Sequence, residues 1–173
     1  FDIHPTEINH IIGITKAYTT RVGSGPMPTK MEGRQRDIII EIGHEIGTTS
    51  GRIRDPGWLD LVLLKEAVAA NRVTSLAITK IDVFSGFKNL KLCVGYEVNR
   101  KKASYLSGDA DYLAKCQPVY ETLPGWQEDI TGVRQFEKLP KNAKDYIRRV
   151  EKFTGVAVNF IGVGPDRSEV IYV

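Results

Sequence analysis

The sequence predicts an α/β domain, a mainly parallel sheet with flanking helices. Three observations carry that expectation. Short apolar runs recur as strands do, in IIGITKAY (11–18), SLAIT (75–79) and VAVNFIGV (156–163). Two further stretches, 58–72 and 140–155, place apolar residues at helical spacing. Parallel strands need long crossovers, usually helical, so strands alternating with helices mark a parallel sheet. Finally, 173 residues with 42% apolar and 26% charged side chains suffice for a substantial core.

Residues 11–18 form the first strand and run into a glycine- and proline-rich turn, RVGSGPMPT (21–29). Residues 31–43 have helical length, but the apolar patch at 38–42 suits a strand as well, so both readings stand. The loop GTTSGRIRDPGW (47–58) leads into helix 58–72. Its stripe is Leu59, Leu61, Val62, Leu64 and Val68, with Lys65, Glu66 and Arg72 outside. SLAIT is a short buried strand, and LKLCVGYEV (90–98) alternates as a strand does. Residues 99–116 are polar and poorly patterned, a hairpin or excursion with RKK (100–102) as a solvated tip. PVYET (118–122) is a further strand, after which Pro124 and Gly125 suit the central positions of a type II turn. In helix 140–155, Pro140 suits the first turn and Gly155 supplies the stop, while Ala143, Tyr146, Ile147, Val150 and Phe153 share one face. Strand 156–163 follows, and EVIYV (169–173) closes the chain.

Bulk properties exclude several functions. A net charge of +3, with no run of five basic residues, does not suit a nucleic-acid partner. No stretch approaches the ~18 apolar residues of a membrane span, and no signal-peptide pattern is present, so a cytoplasmic protein is expected. Cys93 and Cys116 lack metal-ligand spacing and read as buried free thiols. His4, His10 and His44 are scattered and read as surface or packing residues. There is no G-x-x-x-x-G-K-[ST] phosphate loop and no Ser-His-Asp or Cys-His set. The chain begins FDIHP and its first methionine is Met27, so a piece of a longer protein is expected.

Three loops carry chemistry. In an open α/β sheet, ligands sit beyond the carboxyl ends of the strands. TKID (79–82) follows SLAIT. A carboxylate at Asp82 can accept from both the ring N–H and the exocyclic amine of guanine, a donor pair adenine lacks. The stem of Lys80 can cover the base while its ammonium stays solvated. The pattern is similar to the Asn-Lys-x-Asp element of GTP-binding proteins, with Thr79 in place of the asparagine. A plain strand-end turn is the competing reading. GVGPDR (162–167) follows strand 156–163, and its glycines let backbone N–H groups face a ligand; a tight Gly-Pro turn competes. In 47–58, two arginines beside three hydroxyls suit an oxygen-rich anion. The alternative is an approach loop whose polar residues cap the following helix.

KAYTTRVGSGPMPT (16–29), GHEIGTTSGRIRDPGWLDL (43–61), TKIDV (79–83), LCVGYEV (92–98), PVYETLPGW (118–126) and GVGPDR (162–167), in that order, resemble the C-terminal part of the adenylosuccinate synthetase family. The resemblance covers nearly the whole chain. It implies a P-loop-NTPase-like fold truncated at its N-terminus, and one domain over 1–173. The family joins aspartate to IMP, using GTP and Mg2+, to give adenylosuccinate, GDP and phosphate on the route to AMP. By matched position, Thr48, Thr49, Ser50, Gly51, Arg52, Ile53 and Arg54 form the loop that closes on aspartate. Thr49 and Ser50 would donate to its carboxylates, Arg52 would bridge aspartate and the inosinate ribose, and Arg54 would serve aspartate and the GTP side. Val22 and Gly23 would lie against the ribose. Lys80, Ile81 and Asp82 would hold the guanine, with Gly162, Val163, Gly164 and Pro165 as the second guanine loop. Family members often carry arginine at the positions of Ile53 and Asp55 and serine at that of Gly162, so this chain offers a weaker positive field and one contact fewer. The family's phosphate loop, catalytic aspartate and histidine, and with them the Mg2+ site, belong to an N-terminal part absent here. The fragment alone is therefore expected to be inactive, with an unpaired sheet edge that invites self-association. A homodimer is implied. Two other readings stand beside this one: a non-catalytic guanine-nucleotide-binding or regulatory module, and an α/β domain whose glycine-rich loops are only turns.

Overall fold

The computed structural model describes residues 4, 7–103 and 108–173. In chain order its elements are β1 (Ile12–Lys16), β2 (Thr19–Arg21), α1 (Gly33–Ile42), β3 (Asp55–Gly57), β4 (Leu59–Asp60), α2 (Leu61–Ala70), β5 (Ser75–Thr79), β6 (Asn89–Val98), β7 (Lys101–Lys102), α3 (Ala110–Leu113), β8 (Gln117–Pro124), α4 (Lys141–Thr154), β9 (Ala157–Gly162) and β10 (Val170–Tyr172).

The first sheet runs β1-β5-β9-β10. β1 and β9 flank β5 in parallel, so Lys16 lies opposite Thr79 and Ile78 opposite Ile161. β10 returns antiparallel to β9, which makes 162–167 a hairpin connection. β1 is an edge strand, and its Ile14 is 77% exposed. In the second sheet β6 pairs antiparallel with β7 and β8 and parallel with the two-residue β4. A third, two-stranded sheet joins β2 to β3.

The ambiguous stretch 31–43 is a helix, α1, with Ile39 its one fully buried residue. The helix expected over 58–72 is shorter. Leu59 and Asp60 belong to β4, and the Asp60 carboxylate starts α2 by accepting the N–H groups of Val62 and Leu63 at 3.0 Å each. That side-chain cap satisfies two donors the helix cannot. α4 spans Lys141–Thr154, buries Ala143, Tyr146, Ile147 and Val150, and stops at Gly155 in the left-handed region (φ 82°).

No type II turn forms at 124–125. β8 continues through Pro124, which pairs with Asn89, and Gly125 is absent from the positive-φ glycines such a turn needs. Gly125 serves close approach instead: a Cβ there would lie 2.0 Å from the carbonyl oxygen of Phe87. The RKK tip is a hairpin turn, with Asn99 and Arg100 both at positive φ. Of the excursion read over 99–116, residues 104–107 lie outside the described residues. Cys93 and Cys116 are buried free thiols, and burial pushes the Cys93 thiol up to about 11.

Phe84 centres the core. Its ring lies 5.5–6.4 Å, centroid to centroid, from Tyr18, Trp58, Phe87, Trp126 and Tyr146. Burying one such ring contributes roughly 1.5–3 kcal/mol. Phe84 ends the short 3-10 turn Asp82–Phe84, so the core anchors the turn that carries Asp82.

Candidate functional site

The carboxyl ends of β5 and β9 face the same side of the first sheet, and the loops that leave them meet. Ile81 N–H donates to the Gly162 carbonyl at 3.3 Å. Between the loops lies a cleft of about 560 Å3, bordered by Lys80, Asp82, Gly162, Gly164 and Pro165. That volume lies in the range of small-molecule sites.

Asp82 is the most informative group in the cleft. Its Oδ1 is buried and has no hydrogen-bond partner among the described residues. Burial pushes its carboxyl above the ordinary aspartate value, helped by the Glu169 and Asp129 charges; the residue's own backbone N–H and then the Lys80 charge oppose that shift only in part. An acceptor removed from water and left unpaired costs roughly 1–3 kcal/mol, so the site is poised for a ligand that brings donors. Ile81 and Val163 contribute differently. Both side chains are fully buried, and their N–H groups donate to the Gly162 and Glu169 carbonyls. They support the loops from inside and offer the cleft neither a side chain nor an amide.

Lys80 departs from the sequence reading. Its ammonium is not left in water. It donates to the Gly43 carbonyl at 2.5 Å and to Glu45 Oε1 at 3.0 Å. The cause is Glu45, a fully buried carboxylate that composition and periodicity did not mark. Lys16 donates to both Glu45 oxygens at 2.9 Å, the Tyr18 hydroxyl donates to Oε1 at 2.6 Å, and the Arg54 guanidinium stands 3.7 Å from Oε2. Burial alone would raise the Glu45 carboxyl. The Tyr18 hydroxyl and the two lysines outweigh it and hold the group below the usual range. Three cations around one carboxylate leave a positive excess beside the cleft. The only sequence signal was a single acid between Gly43 and Gly47, next to an apolar helix.

The loop after Glu45 is a small hairpin. Ile46 bridges Ile53, Gly47 N–H donates to the Arg52 carbonyl, and Gly51, at φ 63°, returns its N–H to the Gly47 carbonyl. Thr48, Thr49, Ser50, Gly51, Arg52 and Ile53 are exposed, and Arg54 is half-buried at the base. The Ser50 hydroxyl accepts from Arg52 N–H at 3.4 Å. The capping alternative for these hydroxyls does not hold, because Asp60 caps α2.

The β2–β3 pairing sets Arg21 opposite Asp55, which carries the bend at Val22 and Gly23 to the foot of this hairpin. Arg21 ties the bend by donating to the Pro26 and Ser24 carbonyls. Gly23 lines a polar recess of about 230 Å3 with Lys30 and Asp55, while Val22 is half-exposed outside it. Asp55 is held by Lys30 at 3.0 Å and Arg36 at 2.8 Å. The bend, the hairpin and the cleft thus form a chain of neighbours, joined by β2–β3 and by Glu45. His44, read from sequence as a surface or packing residue, is exposed, adopts φ 48° and borders the cleft.

Among the described residues no three His, Cys, Asp or Glu side chains gather as a metal site, and no helix is long and apolar enough to cross a membrane.

Comparison with known proteins supplies the family. The adenylosuccinate synthetase family model matches residues 1–171. Adenylosuccinate synthetase of Clostridium perfringens is 48% identical over 171 residues, 99% of this chain and 40% of that protein. That of Geotalea uraniireducens is 49% identical over 167 residues, 96% of this chain and 39% of that protein. A solved structure of fully ligated adenylosuccinate synthetase from Plasmodium falciparum superposes with a TM-score of 0.96 at 36% identity, over 99% of this chain and 42% of that one. This chain therefore spans about two-fifths of the length of the relatives it matches, and it belongs to the adenylosuccinate synthetase family.

Proposed function

We propose that this chain is the aspartate-, inosinate- and guanine-binding portion of an enzyme that joins L-aspartate to IMP at the expense of GTP. The observation that carries the reading is the buried, unpartnered Oδ1 of Asp82 in a cleft shared with Lys80 and the 162–165 loop. Guanine brings two adjacent N–H donors to the Asp82 carboxylate, whereas adenine presents no such pair. The stem of Lys80 borders the cleft while Glu45 and Gly43 hold its head. Gly162, Gly164 and Pro165 form the opposite wall, with Ile81 and Val163 holding the two loops in register.

In the hairpin, Thr49 and Ser50 donate to the aspartate carboxylates. Arg52 reaches between aspartate and the inosinate ribose, and Arg54 between aspartate and the nucleotide. Thr48, Gly51 and Ile53 shape the loop, and Val22 and Gly23 rest against the ribose. The exposure of residues 48–53 suits a loop that closes on its ligand. The reaction proceeds in two displacements. The γ-phosphoryl group of GTP passes to the 6-oxygen of IMP, with loss of the N1 proton, leaving GDP. The aspartate amine then attacks C6, phosphate departs, and adenylosuccinate forms. An amide-like oxygen is a poor leaving group and phosphate is a good one, which is why GTP is consumed.

No three His, Cys, Asp or Glu side chains gather among the described residues, and no residue named above is assigned to Mg2+. Mg2+, the catalytic groups, a homodimeric assembly and a cytoplasmic location belong to the reading of the whole enzyme, and the 173-residue chain alone is proposed to be inactive. The test is a product assay with IMP, L-aspartate and either GTP or ATP. The complete gene product is expected to form adenylosuccinate with GTP and far less with ATP, and the 173-residue chain none. Absence of adenylosuccinate from the complete protein, or equal use of ATP, would overturn the proposal.

A further inference from the structure

We infer that Glu45 is a positioning residue that couples occupancy of the guanine cleft to occupancy of the aspartate hairpin. This inference rests on the roles proposed above for Lys80 and Arg54. The two residues lie on separate segments of chain, and Glu45 is the carboxylate both of them address. Its backbone joins the same system: the Glu45 carbonyl accepts Arg54 N–H at 2.8 Å, while the Gly43 carbonyl accepts the Lys80 ammonium. Lys80 adopts φ 60°, a left-handed conformation that costs a non-glycine residue energy and persists where its surroundings impose it.

The four donors are not held equally. Lys16, Tyr18 and Lys80 are within 2.6–3.0 Å of a Glu45 oxygen, whereas Arg54 stands at 3.7 Å. Arg54 is the least firmly held and half-exposed, so it is the one free to turn to a substrate carboxylate. When it turns, the negative charge of Glu45, removed from water, falls to Lys16 and Lys80. Lys80 is gripped more tightly, and its stem is fixed in the cleft. Aspartate in the hairpin therefore tightens guanine-nucleotide binding, and by reciprocity the nucleotide tightens aspartate binding. A bystander carboxylate that only stabilised the fold would change both affinities without linking them.

The experiment titrates GDP into the complete gene product by calorimetry, with and without saturating L-aspartate in the presence of IMP; GDP has no γ-phosphoryl group, so no turnover intervenes. Aspartate is expected to tighten GDP about fivefold or more, at the lower end of common coupling energies. In Glu45→Gln the factor is expected to fall below about twofold. Lys16→Met removes one competitor for the carboxylate, leaves Arg54 and Lys80 as its cations, and is expected to raise the coupling above wild type by about twofold. It also keeps the inference testable if Glu45→Gln does not fold. Absence of coupling in wild type, wild-type coupling in Glu45→Gln, or unchanged coupling in Lys16→Met would each overturn the inference. The guanine reading fails separately, if Asp82→Asn leaves the preference for GDP over ADP intact.

Discussion

Replacing Asp82 by asparagine tests the guanine reading at its most exposed point. Oδ1 of Asp82 is buried without a partner among the described residues, so most of the desolvation needed for binding has already taken place. Guanine then supplies two N–H donors to an ionised carboxylate, each such bond contributing about 1.5–3 kcal/mol. Asparagine keeps one acceptor but sets an NH2 group against the second donor. The net loss is about 2–3 kcal/mol, roughly 30- to 140-fold in GDP affinity, while ADP affinity stays within about twofold of wild type. The assay is calorimetric titration of both nucleotides. Stability supplies a control with a defined sign. Because burial raises the Asp82 carboxyl, its ionised form costs stability above that raised value. The neutral isostere removes the cost, so the urea midpoint of Asp82→Asn should equal or exceed wild type. Equal losses for GDP and ADP, or a loss confined to stability, would refute the reasoning.

Three further outcomes are expected. Arg54→Leu removes a charge-assisted contact and should raise the aspartate KM of the complete enzyme about 10- to 140-fold, while GDP affinity measured without aspartate is not weakened, because loss of the Arg54 charge leaves Glu45 to Lys16 and Lys80 as bound aspartate does; equal losses in steady-state KM and calorimetric affinity would remove Arg54 from the aspartate contacts. The Glu45 carboxyl lies below its usual range, so its contribution to stability is present above the unfolded value of 4.5 and is lost as pH falls through the lower folded value. Urea midpoints should drop across that interval in wild type and less steeply in Glu45→Gln; parallel profiles would contradict the assigned ion cluster. Gly125→Ala places a Cβ 2.0 Å from the Phe87 carbonyl oxygen and should lower stability by about 1–3 kcal/mol in urea unfolding; an unchanged midpoint would show that β8 relaxes freely there.

The parts of this molecule that were legible in the sequence are those where local chemistry and tertiary packing agree. The apolar runs at 11–18, 75–79 and 156–163 became parallel neighbours, and α4 begins and ends where Pro140 and Gly155 punctuate it. Asp82 could be singled out because the chemistry of guanine asks for one carboxylate at a strand end, and its burial was then found. Other features needed the third dimension. Leu59 continues the helical stripe by spacing, yet it pairs with Leu92 in a sheet formed across 33 residues. Pro124-Gly125 has turn composition, but the approach of Phe87 decides the role of the glycine. Glu45 could not be anticipated, because a buried acid is tolerated only among cations, and Lys16 and Lys80 are distant in sequence while Arg54 is brought back only by the hairpin. The solvated Lys80 head failed for the same reason.

A crystal structure of the complete gene product with GDP, IMP and L-aspartate tests the central claim most directly. The account predicts the guanine ring N–H and amine within hydrogen-bond distance of the Asp82 carboxylate, beside the stem of Lys80, with the aspartate carboxylates on Thr49, Ser50, Arg52 and Arg54. A guanine bound elsewhere, with Asp82 Oδ1 still unpartnered, or an aspartate that leaves the 48–54 hairpin untouched, would contradict it.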